Sequence, residues 1–330
     1  MPEAATGDKV SARLTQVLKW GFSIGLLLLL FSWVDWRSGL QLLRQVRAEY
    51  LLLNFILFPV ALAVAARRWL VLLRPHGISL SLLEGVKIYW IGIYLSNFLP
   101  SNIGGDISRV GLMSRFNKTA QIAASVVVER FLGLLALLLF ASVAAVIRPS
   151  LFVWHGGVYA YWAGVGLLVV AVLMCVNFSQ EISGRFIGAE GAGLYHSVQK
   201  KIGKLLISVE RYRDWRLCLQ VVGWSGLYYL VGFVAHFSVA KALGLDIDFH
   251  SIVLIAPLIL LISMIPVSVN AIGLAEGAFV VFYSHVGLEK HEALAFALLL
   301  RFLQLLCSGV GGILLLSVKR ELSVKGQEKR

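Results

Sequence analysis

The 330-residue chain is 58% hydrophobic and 15% charged, with a mean hydropathy of +0.81 and a net charge of +12. Soluble domains carry about 25% charged residues, so an ordinary soluble enzyme is excluded, as are a disordered chain, a coiled coil and a nucleic-acid-binding module. What remains is an all-α polytopic membrane protein, whose positive charge reads as topology and affinity for anionic headgroups.

In chain order, residues 1–16 carry Lys9 and Arg13 and read as a cytoplasmic tail. The run Val17 to Val34 ends in Asp-Trp-Arg with no small-residue cleavage site, so it is a retained span in which Lys19 snorkels to the near interface. A helix needs about 20 apolar residues to cross the hydrocarbon. Runs of that kind fall at 17–34, 51–73, 120–147, 158–178, 217–243 and 293–318, which makes six spans. Two further apolar regions, 82–116 and 250–285, are interrupted by Pro-Ser-Asn-Ile-Gly-Gly-Asp (100–106) and by Pro-Val-Ser-Val-Asn-Ala-Ile-Gly-Leu-Ala-Glu (266–276). Such backbone must be enclosed by protein or line a wet cavity.

Basic residues decide how these regions run. The segment 179–216 holds Arg185, Lys200, Lys201, Lys204, Arg211, Arg213 and Arg216, and the basic tail 319–330 holds Lys319, Arg320, Lys325, Lys329 and Arg330. Both belong in the cytoplasm, while 149–157 and 244–251 contain no Lys or Arg and face outward. This pattern requires two oppositely oriented re-entrant hairpins, 82–118 and 250–291. The loop 35–50, with Arg37, Arg44 and Arg47, dissents from its outer assignment.

The halves match at an offset of about 170 residues: Pro100 with Pro266, Asp106 with Glu276, and Arg130-Phe131-Leu132 with Arg301-Phe302-Leu303. The expected fold is therefore an inverted repeat, span-span-hairpin-span twice, with halves 17–147 and 158–318. Transporters use this architecture, with broken helices meeting the substrate near the midplane.

Asp106, Arg109, Glu129, Arg130, Glu276 and Arg301 lie in or beside apolar runs. At about 2.5–3.5 kcal/mol each on insertion scales, they must be paired, hydrated or bound to a ligand. One reading is a polar cavity in which arginines hold a lipid phosphate and acids position them or accept protons. The other is that Asp106 to Arg130 and Glu276 to Arg301 are buried pairs pinning each hairpin to the next span. Asp106 and Arg109 share a helix face three residues apart. Gly104 and Gly105 permit a tight turn into that helix, whose amino end favours an anion. Pro100, Pro266 and Gly273 are the other break positions, and Asn97, Asn102 and Asn270 flank the breaks as candidate substrate contacts or as partners for freed backbone groups.

Arg67, Arg68 and Arg74, beside Trp69, read as snorkelling anchors with an aromatic belt, or as inner-leaflet headgroup contacts. Residues 197–213 have the pattern of an amphipathic helix on an anionic surface. Cys175, Cys218 and Cys307 show neither paired spacing nor an even count. His285, Glu289, His291 and Glu292 do not assemble a fixed ligand set, so neither a metal nor a cofactor is expected. No nucleophile stands beside a Ser-Arg-Ser-like phosphate motif, which ranks an intramembrane enzyme acting on polyprenyl phosphates below a transporter.

The run Asn97-Phe98-Leu99-Pro100-Ser101-Asn102-Ile103-Gly104-Gly105-Asp106-Ile107-Ser108-Arg109, with Ile265-Pro266 through Gly273-Leu274-Ala275-Glu276-Gly277, resembles the flippase-like family typified by the membrane region of lysylphosphatidylglycerol synthases. The resemblance covers roughly 15–320. It implies translocation of a lipid, such as an aminoacyl-phospholipid or a glycosylated polyprenyl phosphate, between leaflets; with the inverted repeat and the buried charge, the expectation is alternating-access transport of an anionic or phosphate-bearing lipid. A multi-pass protein of the bacterial cytoplasmic (inner) membrane is expected, with both termini cytoplasmic by the distribution of basic residues. The implied partners are the lipid substrate, anionic phospholipids at the cytoplasmic face, and a second copy or a lipid-synthesising enzyme. The synthases' soluble transferase domain has no counterpart here, so synthase activity is not expected.

Overall fold

The computed structural model describes residues 20–32, 34–97, 104–147, 149, 159, 161–166, 208–209, 211–212, 214–265 and 267–327. Pro100, Asn102 and Pro266 lie outside these residues, as does most of the expected span 158–178 and of the segment 179–216.

Among the described residues all regular structure is helical. The principal helices are α1 (Trp20–Ser32), α2 (Trp36–Arg44), α3 (Ala48–Leu73), α4 (Leu82–Ser96), α5 (Gly104–Leu112), α6 (Thr119–Ile147), α7 (Trp215–Ala242), α8 (Phe249–Ser263), α9 (Leu274–Ser284) and α10 (Lys290–Gln327). Segments Ala48–His76, Thr119–Ile147, Trp215–Ala242 and Lys290–Ser317 are long and apolar enough to cross a membrane. The bent pair Trp20–Ser32 and Arg37–Arg44, at 89°, makes a fifth if taken as one span. The four long spans follow the expected runs closely. Where the sequence suggested a loop at 35–50, the chain forms α2, capped by Asp35, whose carboxylate accepts the Arg37 and Ser38 amides.

Local chemistry sets the other boundaries. Ser81 and Glu84 form a reciprocal capping box ahead of α4, each side chain accepting the other's amide. Asp248 accepts the Ser251 amide at 2.6 Å and starts α8. The α3 segment stops at Arg74-Pro75, followed by the left-handed Gly77. Helices α4 and α8 have 15 residues each, α5 nine and α9 eleven. At 1.5 Å per residue even the longer two reach only about 22 Å, too short to cross alone.

The chain divides into two compact units. The first comprises Met1–Phe58, Trp90–Gly105 and Gly232–Arg330, and the second Pro59–Tyr89 and Asp106–Val231. In the first, α9 packs on α8 and α10, and α10 on α2. Phe279, Tyr283 and Phe296 meet there with ring centroids 5.3 Å apart, and Phe279 stacks on His236. Asn54 of α3 donates to Ser238 of α7 at 2.5 Å, and the Arg47 amide reaches the Ala242 carbonyl, so these ends run antiparallel. In the second unit, Val71 and Leu72, Ala124, Val128 and Leu132, and Tyr212 and Val221 form one apolar core.

Candidate functional site

The second unit buries a network of charge that begins on α5. Asp106 lies in the first turn of α5, where a carboxylate complements the helix dipole. It accepts from Arg109 Nη2 at 2.5 Å, one turn on, and from Arg130 Nε of α6 at 2.8 Å. Arg109 also reaches Glu129 of α6 through Nη1 at 2.9 Å. Glu129 is 2% exposed and further accepts both Nε and Nη2 of Arg68, from α3, and the Tyr89 hydroxyl. Rings cover the cations: the Arg109 guanidinium sits 4.2 Å from the Tyr89 ring centroid and 5.1 Å from that of Trp69. Arg68 lies 5.4 Å from the Tyr228 ring and donates to Ser225 of α7 at 3.2 Å. Among the described residues, three guanidinium groups meet two carboxylates here. Arg109 is buried, whereas the Arg130 side chain is 49% exposed.

The first unit repeats the acid-to-arginine bridge in simpler form. Glu276 stands in the first turn of α9, and one of its oxygens accepts the Gly273 amide at 2.7 Å, capping that helix. The other oxygen takes Arg301 Nε of α10. Arg301 Nη1 and Nη2 reach the carbonyls of Asn270 and Ala271 at 3.3 and 3.4 Å. These two residues are left-handed, at φ 47° and 55°, so the strained backbone turns its carbonyls toward the arginine. Ser23 of α1 secures the same segment by accepting the Val269 amide at 3.0 Å. Asn97 donates to Ser308 at 2.8 Å and accepts from Asn270 at 3.4 Å, joining the end of α4 to the second break.

The family described as the lysylphosphatidylglycerol synthase TM region matches residues 16–311. The chain belongs to this family. It is similar to a UPF0104 membrane protein of Pyrococcus horikoshii, 21% identical over 91% of this chain and 96% of the relative. A UPF0104 membrane protein of Methanothermobacter thermautotrophicus is 23% identical over 77% of this chain and 80% of the relative. No solved structure matches. Family and apolar helices together make this a multi-pass membrane protein.

The geometry sorts the family member's candidate residues into two groups. Asp106, Arg109, Glu129 and Arg130 assemble in the second unit, and Asn97, Asn270, Gly273, Glu276 and Arg301 in the first. The acid–arginine pairs inferred from spacing both form, 24 and 25 residues apart. Two readings change. Trp69 is fully buried and donates its indole N–H to Ser125 at 3.0 Å, so it belongs to no interfacial belt. Arg68 is likewise no snorkelling anchor, because the phase of α3 turns it inward onto Glu129, with its side chain 11% exposed. Arg67, its neighbour, is half-buried. Gly104 and Gly105 do not make a left-handed turn. A Cβ on Gly105 would stand 2.7 Å from the Gly92 carbonyl oxygen, so the glycine serves close approach of α5 to α4. Gly273 does turn left-handed, at φ 81°.

Tyr89 is the member that sequence reasoning missed. It carries no charge, and nothing in the apolar run of α4 marks it as pointing at an acid. Its offset of 40 residues from Glu129 has no helical periodicity. The available signal was Glu129 itself, a carboxylate beside Arg130 in a span and short of donors.

Proposed function

We propose that the protein is a lipid flippase or transporter that moves an anionic, phosphate-bearing lipid between leaflets by alternating access. The observation that carries this reading is the second unit's network, which gathers the guanidinium groups of Arg68, Arg109 and Arg130 around Asp106 and Glu129 and leaves the Arg130 side chain 49% exposed. A cation in an apolar span is costly unless it is paired or bound to an anion. The guanidinium fork suits a phosphate. The helix amino ends offer no such place, because Asp106 and Glu276 already occupy those positions. The lipid's phosphate thus meets side-chain cations.

The inverted-repeat reading is supported by contacts that correspond under the offset of about 170 residues. Asp106 with Arg130 corresponds to Glu276 with Arg301. Asn54 with Ser238 corresponds to Ser225 with Arg68. The short pairs α4–α5 and α8–α9 are then the re-entrant hairpins, as the close approach of Gly105 to Gly92 and the packing of α9 on α8 favour.

The test is leaflet exchange of a labelled anionic phospholipid in proteoliposomes. Asp106→Asn, Arg130→Ala and Glu276→Gln are each expected to abolish exchange while the protein still inserts. Full activity in all three overturns the proposal.

A further inference from the structure

Where α3 ends and α7 begins, the second unit holds a cavity of about 420 Å³, floored by Val71 and Leu217 and rimmed by Arg74, Asp214, Arg216 and Gln220. This is within the range of small-molecule sites, about 300–1,000 Å³. None of its residues belongs to the Asp106–Glu129 network.

The rim is held by a set of fixed contacts. Tyr212 donates its hydroxyl proton to the Leu72 carbonyl at 2.8 Å, so His76 Nε2, 2.9 Å from the Tyr212 hydroxyl oxygen, is the donor to that oxygen. Lys118 Nζ donates to the His76 carbonyl at 2.8 Å, and Arg211 Nη1 to the Pro75 carbonyl at 3.0 Å. These ties fix the turn that carries Arg74. On the opposite rim, Asp214 accepts the Arg216 amide at 2.9 Å, and the Arg216 guanidinium lies 5.7 Å from the Trp215 ring centroid. Two cations therefore face a preformed hollow whose one carboxylate is already engaged at the start of α7.

The surroundings say what form the anion takes. From the cavity, α7 presents Leu219, Gly223, Leu227 and Leu230, exposed at helical spacing, as an apolar stripe. Trp215, 64% exposed, stands at its head, where an aromatic residue anchors at a membrane interface. An acyl chain laid on that stripe brings its phosphate to Arg74 and Arg216, and leaves Gln220 to accept from headgroup hydroxyls. A soluble phosphoester would use the cations alone and leave the stripe unused. We propose that this cavity binds the phosphodiester headgroup of an anionic phospholipid, in the leaflet that the basic residues assign to the cytoplasm, as a resident lipid site separate from the translocation network.

The experiment titrates the full-length protein in detergent with dihexanoyl phosphatidylglycerol, reading bound lipid by native mass spectrometry. Saturable binding of one lipid is expected, weakened about tenfold or more when Arg74→Gln and Arg216→Gln are combined. Asp214→Asn, which keeps the amide-capping oxygen but removes the negative charge, is expected to tighten binding. Dihexanoyl phosphatidylcholine is expected to bind more weakly, and glycerol 1-phosphate to compete only at tenfold or higher concentration. Unchanged affinity in a folded double variant overturns the proposal, as does phosphatidylcholine binding as tightly as phosphatidylglycerol. Glycerol 1-phosphate competing on equal terms also overturns it, by making the site one for a soluble phosphoester. If the double variant does not fold, Asp214→Asn alone decides, and binding left unchanged or weakened refutes the site.

Discussion

Glu276 and Arg301 in the first unit, and Asp106 and Arg130 in the second, are the same bridge between a short helix and a long one, yet their surroundings differ. In the first unit the bridge closes on main-chain groups: Glu276 caps Gly273, and Arg301 is satisfied by the carbonyls of Asn270 and Ala271. Its charges balance. In the second unit the bridge is one edge of a network that recruits Arg109, Glu129, Arg68 and Tyr89. The closed bridge is suited to holding a strained break in place. The open one leaves the Arg130 side chain 49% exposed while it buries Arg109 between Tyr89 and Trp69.

The change expected to disturb this contrast most is Glu129→Gln. It removes the carboxylate that Arg68 pairs with and leaves Arg109 only that of Asp106, which Arg130 shares. Breaking a buried ion pair costs about 3–5 kcal/mol, so thermal unfolding in detergent should show the largest loss of any substitution considered. If Glu129→Gln proves no more damaging than Glu276→Gln, the second network is not electrostatically the more demanding, and the contrast fails.

Next in size is Gly273→Ala. The residue sits at φ 81°, and an added Cβ would lie 2.9 Å from Leu26 Cβ and 3.1 Å from the Ser23 carbonyl. Backbone strain and overpacking together are expected to cost about 3 kcal/mol. Gly105→Ala, with no positive φ to satisfy, is expected to cost less, and the same unfolding measurement ranks them. A reversed order would mean that the second break is held less rigidly than its contacts indicate. Glu276→Gln follows at about 1–2 kcal/mol, because Arg301 keeps two carbonyl partners and its side chain is 23% exposed. A loss as large as that of Glu129→Gln would show that the main-chain carbonyls do not share the charge.

What was legible in the sequence follows from which signals are local. Long apolar runs mark α3, α6, α7 and α10, because a span must be apolar over its whole length. The acid–arginine pairs showed because the two halves repeat the spacing, and a repeat exposes a contact that one copy alone would hide. The bond from Arg68 to Glu129 joins residues 61 apart in sequence and has no counterpart in the other half, where Ser238 stands at the corresponding place. Neighbouring Arg67 and Trp69 made Arg68 look interfacial, and only the rotation of α3 about its axis decides otherwise. The role of Gly105 was hidden for a similar reason, since a glycine required by a close helix approach and one required by a turn look alike until the neighbouring Gly92 carbonyl is in view.

The smallest expected effect on stability belongs to Arg130→Lys, and it bears most on function. Lysine keeps the charge beside Asp106, and the side chain is 49% exposed, so the change in unfolding free energy should stay within about 1 kcal/mol. What it removes is the planar fork, which a point-like ammonium cannot reproduce toward a phosphate. Leaflet exchange of an anionic lipid should therefore fall about tenfold or more, while Arg109→Lys, made at a buried site packed against two rings, should destabilise the fold itself. Exchange at the original rate in a stable Arg130→Lys protein would reduce the open bridge to a structural one, and the two units would then differ only in how many charges they spend on holding a break.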